Sequence, residues 1–130
     1  MVEKEKILKA VANKNRLRIL KMLEVKSMCV CEITCVIGIK QPSVTRHLLK
    51  LKEAGLIKER RKGLYTEFYF SIDNPMSTVW KALSEILDGE ELVQRDILKS
   101  ENADRHKICR KQLCNTGRRL KGASKCKKYS

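Results

Sequence analysis

Three cysteines fall within seven residues: Cys29, Cys31 and Cys35, in the segment Met28-Cys29-Val30-Cys31-Glu32-Ile33-Thr34-Cys35. Thiolates are soft ligands, and clustered thiols in a reducing compartment point to soft-ion or redox chemistry. Residues two apart diverge on a helix, so a C-x-C pair cannot share one face. If a helix begins near Val30, Cys31 and Cys35 are one turn apart on the same face, and Cys29 lies just outside and can fold back. The helix dipole and neighbouring cations favour thiolate at such a start. Trivalent arsenic and antimony take three thiolates, whereas zinc normally takes four ligands and no His lies near. A lone cysteine here would read as a small buried hydrophobe; three so close favour a ligand site. Cys109, Cys114 and Cys126 are spaced without a common face and read as ordinary residues of a polar tail. Cys109 and Cys114 remain secondary candidates as ligands.

A second set of residues suits a nucleic acid. Gln41, Ser43, Thr45, Arg46 and Lys50 lie opposite the apolar stripe Val44, Leu48 and Leu51, with His47 at its margin. Arg matches guanine edges, Gln matches adenine, and Ser and Thr suit bases or phosphates. Arg60, Arg61 and Lys62 cluster nearby, where a hairpin tip would carry them to the DNA backbone or minor groove. Any soluble helix has a polar face, and His47 could equally be a packed histidine. The basic wing and the overall charge tip the reading to DNA.

The elements that must hold these groups follow from periodicity. Ile7, Leu8 and Val11 mark a helix over Lys4–Ala12, with Asn13 as a cap or turn, and Leu17, Leu20 and Leu23 mark a second over Lys14–Val25. Lys26–Met28 reads as a connector. Val30, Ile33 and Ile37 stripe a short third helix that ends at Gly38, and Pro42 suits the first position of a fourth that ends at Gly55. The period then drops to two. Ile57–Lys62 and Leu64–Ile72 read as strands around Lys62-Gly63, with Leu64, Thr66, Phe68 and Phe70 on one face. Asn74 and Pro75 signal a last helix carrying Met76, Val79, Trp80, Leu83, Ile86 and Leu87. At Gly89 that helix either breaks or runs on towards Ile97. The fold class is mostly α with a β-hairpin wing (α+β), a winged helix-turn-helix in the order α-α-α-α-β-β-α.

Length and charge set the bounds. The chain has 130 residues, 29 Lys and Arg against 15 Asp and Glu, and a formal net charge of +14. One small domain over residues 1–100 is expected, followed by a basic, Cys-containing tail over 101–130 that holds 10 of the basic and 2 of the acidic residues. No apolar run nears the roughly 20 residues of a membrane span, and the charged first nine residues are unlike a secretion signal. A soluble, cytoplasmic protein with polyanionic partners is expected.

The segments Met28–Thr34 (MCVCEIT), Gln41–Leu48 (QPSVTRHL) and Leu51–Lys58 (LKEAGLIK) resemble the arsenic-responsive branch of the ArsR/SmtB metal-sensing repressors over roughly residues 4–88. The resemblance implies a homodimer paired through its first and last helices, here Ile7, Leu8, Val11, Met76, Trp80, Leu83 and Leu87. It also implies that the metal-free dimer holds double-stranded operator DNA and releases it on binding the ion. The last helix lacks the His of the family's zinc sensors, and residues 1–28 lack the cysteines of its cadmium and lead sensors. Cys29 and Cys31 match the family's pair. Cys35 lies four residues after Cys31 where the branch often has three, so a tail cysteine or a two-thiol site is an alternative.

The expected function is an arsenite- or antimonite-responsive repressor, not an enzyme. Trivalent arsenic or antimony is its inducer, it needs no permanent cofactor, and it has no membrane partner. Two rivals are a thiol redox sensor on the same fold and a thiol-based metal carrier without operator specificity.

Overall fold

The computed structural model describes residues 2–71 and 77–103. Among these residues six helices and three strands follow one another as α1 (Val2–Val11), α2 (Lys14–Val25), β1 (Met28–Cys29), α3 (Val30–Ile37), α4 (Gln41–Glu53), β2 (Ile57–Lys62), β3 (Tyr65–Phe70), α5 (Ser77–Leu87) and α6 (Glu91–Glu101).

Local chemistry sets the boundaries. Asn13 caps α2, its Oδ1 accepting from the N–H groups of Asn15 at 3.0 Å and Arg16 at 3.1 Å, which satisfies two donors the first turn leaves orphaned. The α3–α4 turn needs a left-handed residue, and Gly38 supplies it at φ 80° while donating to the Thr34 carbonyl at 2.9 Å. Pro42 sits in the first turn of α4 after the N-cap Lys40, where a missing N–H costs nothing. Gly63, at φ 62°, turns the hairpin. Ile19, Leu20 and Met22 of α2, Ile33 of α3, Val44, Leu48 and Leu51 of α4, and Leu56 and Ile57 form one buried core. That core fixes α3 and α4 against each other.

Three features depart from the sequence expectation. First, Met28 is not connector but part of β1, which pairs antiparallel with β3 (Met28↔Phe68, Cys29↔Glu67), so the sheet has the order β1-β3-β2. Second, β3 begins at Tyr65, and Leu64 stands 86% exposed at the turn rather than in the strand with Thr66, Phe68 and Phe70. Third, a sixth helix follows the hairpin and α5: of the two courses open at Gly89 the chain takes the break, and α6 starts at Glu91. Bidentate hydrogen bonds from Arg18 to Asp96, at 2.7 and 2.9 Å, fasten α6 to α2.

The helix α5 is anchored by polar groups on α2. Lys21 Nζ reaches Ser84 Oγ at 2.7 Å and Asp88 at 2.6 Å, and Trp80 Nε1 donates to Glu24. Ile7 and Trp80 are absorbed into the chain's own core, whereas Leu8, Val79 and Ile86 face solvent, and Val11, Leu83 and Leu87 are half-buried. Ile72, Asn74, Pro75 and Met76 lie outside the described residues, as does the expected tail beyond Ala103. Among the described residues no helix is long and apolar enough to cross a membrane.

Candidate nucleic-acid interface and thiol cluster

The helix α4 buries Val44, Leu48 and Leu51. Its other face therefore carries exposed Thr45, Arg46 and Lys50 and half-buried Gln41, Ser43 and His47. Local bonds pre-set two of these side chains. Thr45 Oγ1 donates to the Gln41 carbonyl at 3.0 Å, and Arg46 Nη2 donates to Ser43 Oγ at 3.2 Å. The polar residues crowd the N-terminal half of the helix, the part that meets base edges in this motif.

His47 belongs to two surfaces. Its Nδ1 faces Arg16 Nη1 at 3.5 Å. Arg16 in turn closes the end of α1, donating from Nε to the Ala10 carbonyl at 2.7 Å and from Nη2 to the Lys9 carbonyl at 3.1 Å. Burial lowers the His47 pKa below its ordinary 6.5, and the charges of Arg16, Arg46 and Lys50 lower it further. Both effects bias His47 towards the neutral imidazole.

The wing corrects one placement. Arg61 and Lys62 are exposed near the hairpin turn, but the Arg60 side chain lies along the sheet rather than at the tip. It pairs with Glu67 at 2.9 Å, sits 4.9 Å from the centre of the Tyr69 ring, and comes within 3.5 Å of Ser27 Oγ. The cause is register. Arg60 and Glu67 are cross-strand partners, so their side chains share a face.

Cys29 ends β1 and caps α3; it is buried, Cys31 is half-buried, and Cys35 is exposed one turn further on. The Cys29 N–H donates to Glu32 Oε1 at 3.1 Å, a carboxylate reaching back to the helix start. Glu32 is fully buried, with Lys26 Nζ 3.6 Å from its Oε2. The same Lys26 Nζ donates to the Ser100 and Ala103 carbonyls, both at 3.3 Å, and so ties the end of α6 to the thiol turn. At about 1.5 Å rise per residue, Cys29 and Cys35 stand roughly 9 Å apart along α3. Among the described residues no three His, Cys, Asp or Glu side chains are grouped to hold an ion. Cys31 and Cys35 lie one turn apart on α3, and Cys29 stands before its first turn. Cys109, Cys114 and Cys126 lie outside the described residues.

Sequence reasoning passed over Lys26, Glu32 and Glu67. Glu32 had a signal, because it stands at the third helical position after the cap, where an acid reaches back to the cap N–H. Glu67 had one too, as a charge between Thr66 and Phe68 in an otherwise apolar strand. Lys26 had none, since the carbonyls it binds, those of Ser100 and Ala103, lie 74 and 77 residues further along the chain.

Residues 13–59 match the family described as bacterial regulatory protein, arsR family. A helix-turn-helix transcriptional regulator of Methanocaldococcus jannaschii is 40% identical over 81 residues, 62% of this chain and 90% of that protein. The arsenical resistance operon repressor of Escherichia coli is 32% identical over 77 residues, 58% of this chain and 63% of that protein. Among solved structures, the homodimeric winged helix-turn-helix DNA-binding domain of a Mycobacterium bovis regulator superposes with a TM-score of 0.58 at 26% identity, covering 71% of this chain and 83% of that one.

Proposed function

The chain belongs to the ArsR family of bacterial regulatory proteins and is a DNA-binding transcriptional regulator, not an enzyme; from this we propose that it is a repressor that releases its operator when trivalent arsenic or antimony binds the thiols of the Cys29–Cys35 segment. One observation carries the reading. The thiols sit on and beside α3, the first helix of the DNA-reading pair, and Cys29 is also a strand partner of Glu67 in the wing. The similarity to a repressor of an arsenical resistance operon supports the choice of ion.

The chemistry is ligand exchange. Each thiol that bonds to As(OH)3 displaces one hydroxide as water, so three thiols give an As(SR)3 centre and three waters. Gathering Cys29, Cys31 and Cys35 closes a roughly 9 Å spread along α3. That movement breaks the Cys29–Glu32 hydrogen bond and pulls β1 against Glu67. Both readers of DNA are then disturbed, α4 through its short turn from α3 and the wing through the Glu67–Arg60 pair. Allosteric couplings are typically about 1–3 kcal/mol, while a nearly complete switch needs about 5.5. Two ions acting on a dimer add to about 2–6 kcal/mol, which reaches that figure at its upper end.

The dimer is part of the proposal. The exposed Leu8, Val79 and Ile86, with half-buried Val11, Leu83 and Leu87, offer an apolar face on α1 and α5. The Mycobacterium bovis relative is homodimeric. DNA contact falls to Gln41, Ser43, Thr45, Arg46, His47 and Lys50 of α4 and to Arg61 and Lys62 of the wing.

The test is a titration of arsenite, antimonite, cadmium and zinc into the protein bound to its own upstream DNA. Arsenite and antimonite should release the DNA at concentrations where zinc does not. Release by peroxide without any metalloid would assign the thiols to redox sensing instead.

A further inference from the structure

A cleft of about 180 Å3 opens where α1, α2 and α4 meet, lined by Lys6, Lys9 and Ala10 of α1, Arg16 of α2, and Lys50, Glu53 and Ala54 at the far end of α4. Four of these seven residues are cations, drawn from three helices, and one is an acid. Drug-sized ligands occupy about 300–1,000 Å3, so this space fits a small ion with its water. We propose that the cleft is a binding site for a phosphate group, seated between the end of α1 and the outer end of the recognition helix.

The floor of the site is built. Arg16 is locked by its bonds to the Ala10 carbonyl at 2.7 Å and the Lys9 carbonyl at 3.1 Å, with Nη1 turned to His47 at 3.5 Å. A guanidinium carries five N–H donors, so these contacts leave it able to donate further. Lys6, Lys9 and Lys50 are exposed and keep their hydration until an anion arrives. Lys9 is 2.9 Å from Glu5, a solvent-exposed pair that an anion can outbid at little cost. With Glu53 counted, the lining carries three net positive charges. A tetrahedral dianion accepts from donors in several directions, which suits cations on three helices better than a planar carboxylate does. His47 borders the site: burial first, and then the charges of Arg16, Arg46 and Lys50, lower its pKa, so an anion seated beside Arg16 and Lys50 would raise it.

Two sources can supply the phosphate: the backbone of bound DNA, or free phosphate. The inference concerns the anion alone and stands apart from the identity of the inducer. His47 gives a direct readout for the free ion. Its pKa is followed by NMR in the DNA-free protein as inorganic phosphate replaces chloride at constant ionic strength. The site predicts a rise towards 6.5 that saturates with phosphate and is lost in Lys50→Gln. For the backbone source, the salt dependence of DNA binding is compared between wild type and Lys6→Gln/Lys9→Gln. Loss of one phosphate contact flattens the log–log slope by about 1. A response in either arm supports the site and names its source. An unchanged His47 pKa together with an unchanged salt slope overturns it. Circular dichroism and thermal melting confirm that each variant is folded, and Lys6→Gln alone replaces Lys50→Gln in the NMR arm if the latter is not.

Discussion

Cys29 and Arg60 converge on one residue: both are cross-strand partners of Glu67, and Arg60 reaches its carboxylate at 2.9 Å. The thiol turn and the wing therefore belong to one three-stranded sheet. A pull on Cys29 acts on the strand that holds Arg60.

Glu67→Gln tests that link. The amide keeps the shape but loses the charge that holds Arg60. The variant should bind arsenite as the wild type does, read by thiolate–arsenic absorbance. Half-release of DNA should need about tenfold more arsenite, equivalent to about 1.4 kcal/mol of lost coupling. Release that tracks binding as closely as in the wild type would remove Glu67 from the route.

Asp96→Ala should be costly to the fold. Asp96 is 1% exposed and receives two bonds from Arg18, and its hydrogen bond, backed by its charge, raises the Arg18 pKa above the ordinary guanidinium value. Removing one member of such a buried pair typically costs about 3–5 kcal/mol. Urea unfolding should show a loss of that order, and replacing Arg18 as well should recover part of it.

Stability should depend on pH through His47. Its folded pKa lies below the ordinary 6.5, through burial first and then through Arg16, Arg46 and Lys50. The unfolded chain thus takes up its proton first as pH falls. The contribution to stability is fully present above about pH 6.5 and is lost as pH falls through the folded pKa. His47→Gln should flatten the stability curve over that interval, as followed by thermal melting.

Much of this architecture was legible in the sequence. The apolar spacing of Val44, Leu48 and Leu51 fixed which side of α4 faces outward, and Gly38 and Pro42 marked the turn before it. What escaped depended on partners distant along the chain. A two-residue strand such as β1 has no periodicity of its own and exists because β3 passes beside it. The break at Gly89 could not be decided locally, because α6 is anchored by Asp96 on Arg18, 78 residues away. Arg60 looked like its neighbours Arg61 and Lys62 until the register set it opposite Glu67. The three thiols were visible as a cluster, but their separation along α3 follows from where that helix begins.

Arg46→Ala should weaken binding to specific DNA by about 1–3 kcal/mol if the side chain reads a base edge. Arg61→Ala should weaken specific and nonspecific DNA alike and flatten the salt dependence, as a backbone contact does. Fluorescence anisotropy at several salt concentrations separates the two behaviours.

The most direct measurement is an arsenite titration of the DNA complex for wild type and Cys31→Ser in parallel. A serine hydroxyl nearly matches the thiol in size but neither ionises at neutral pH nor bonds a soft ion well. The account predicts that Cys31→Ser binds DNA with wild-type affinity and stays bound at arsenite concentrations that strip the wild type completely. Release of Cys31→Ser at the wild-type concentration would contradict it.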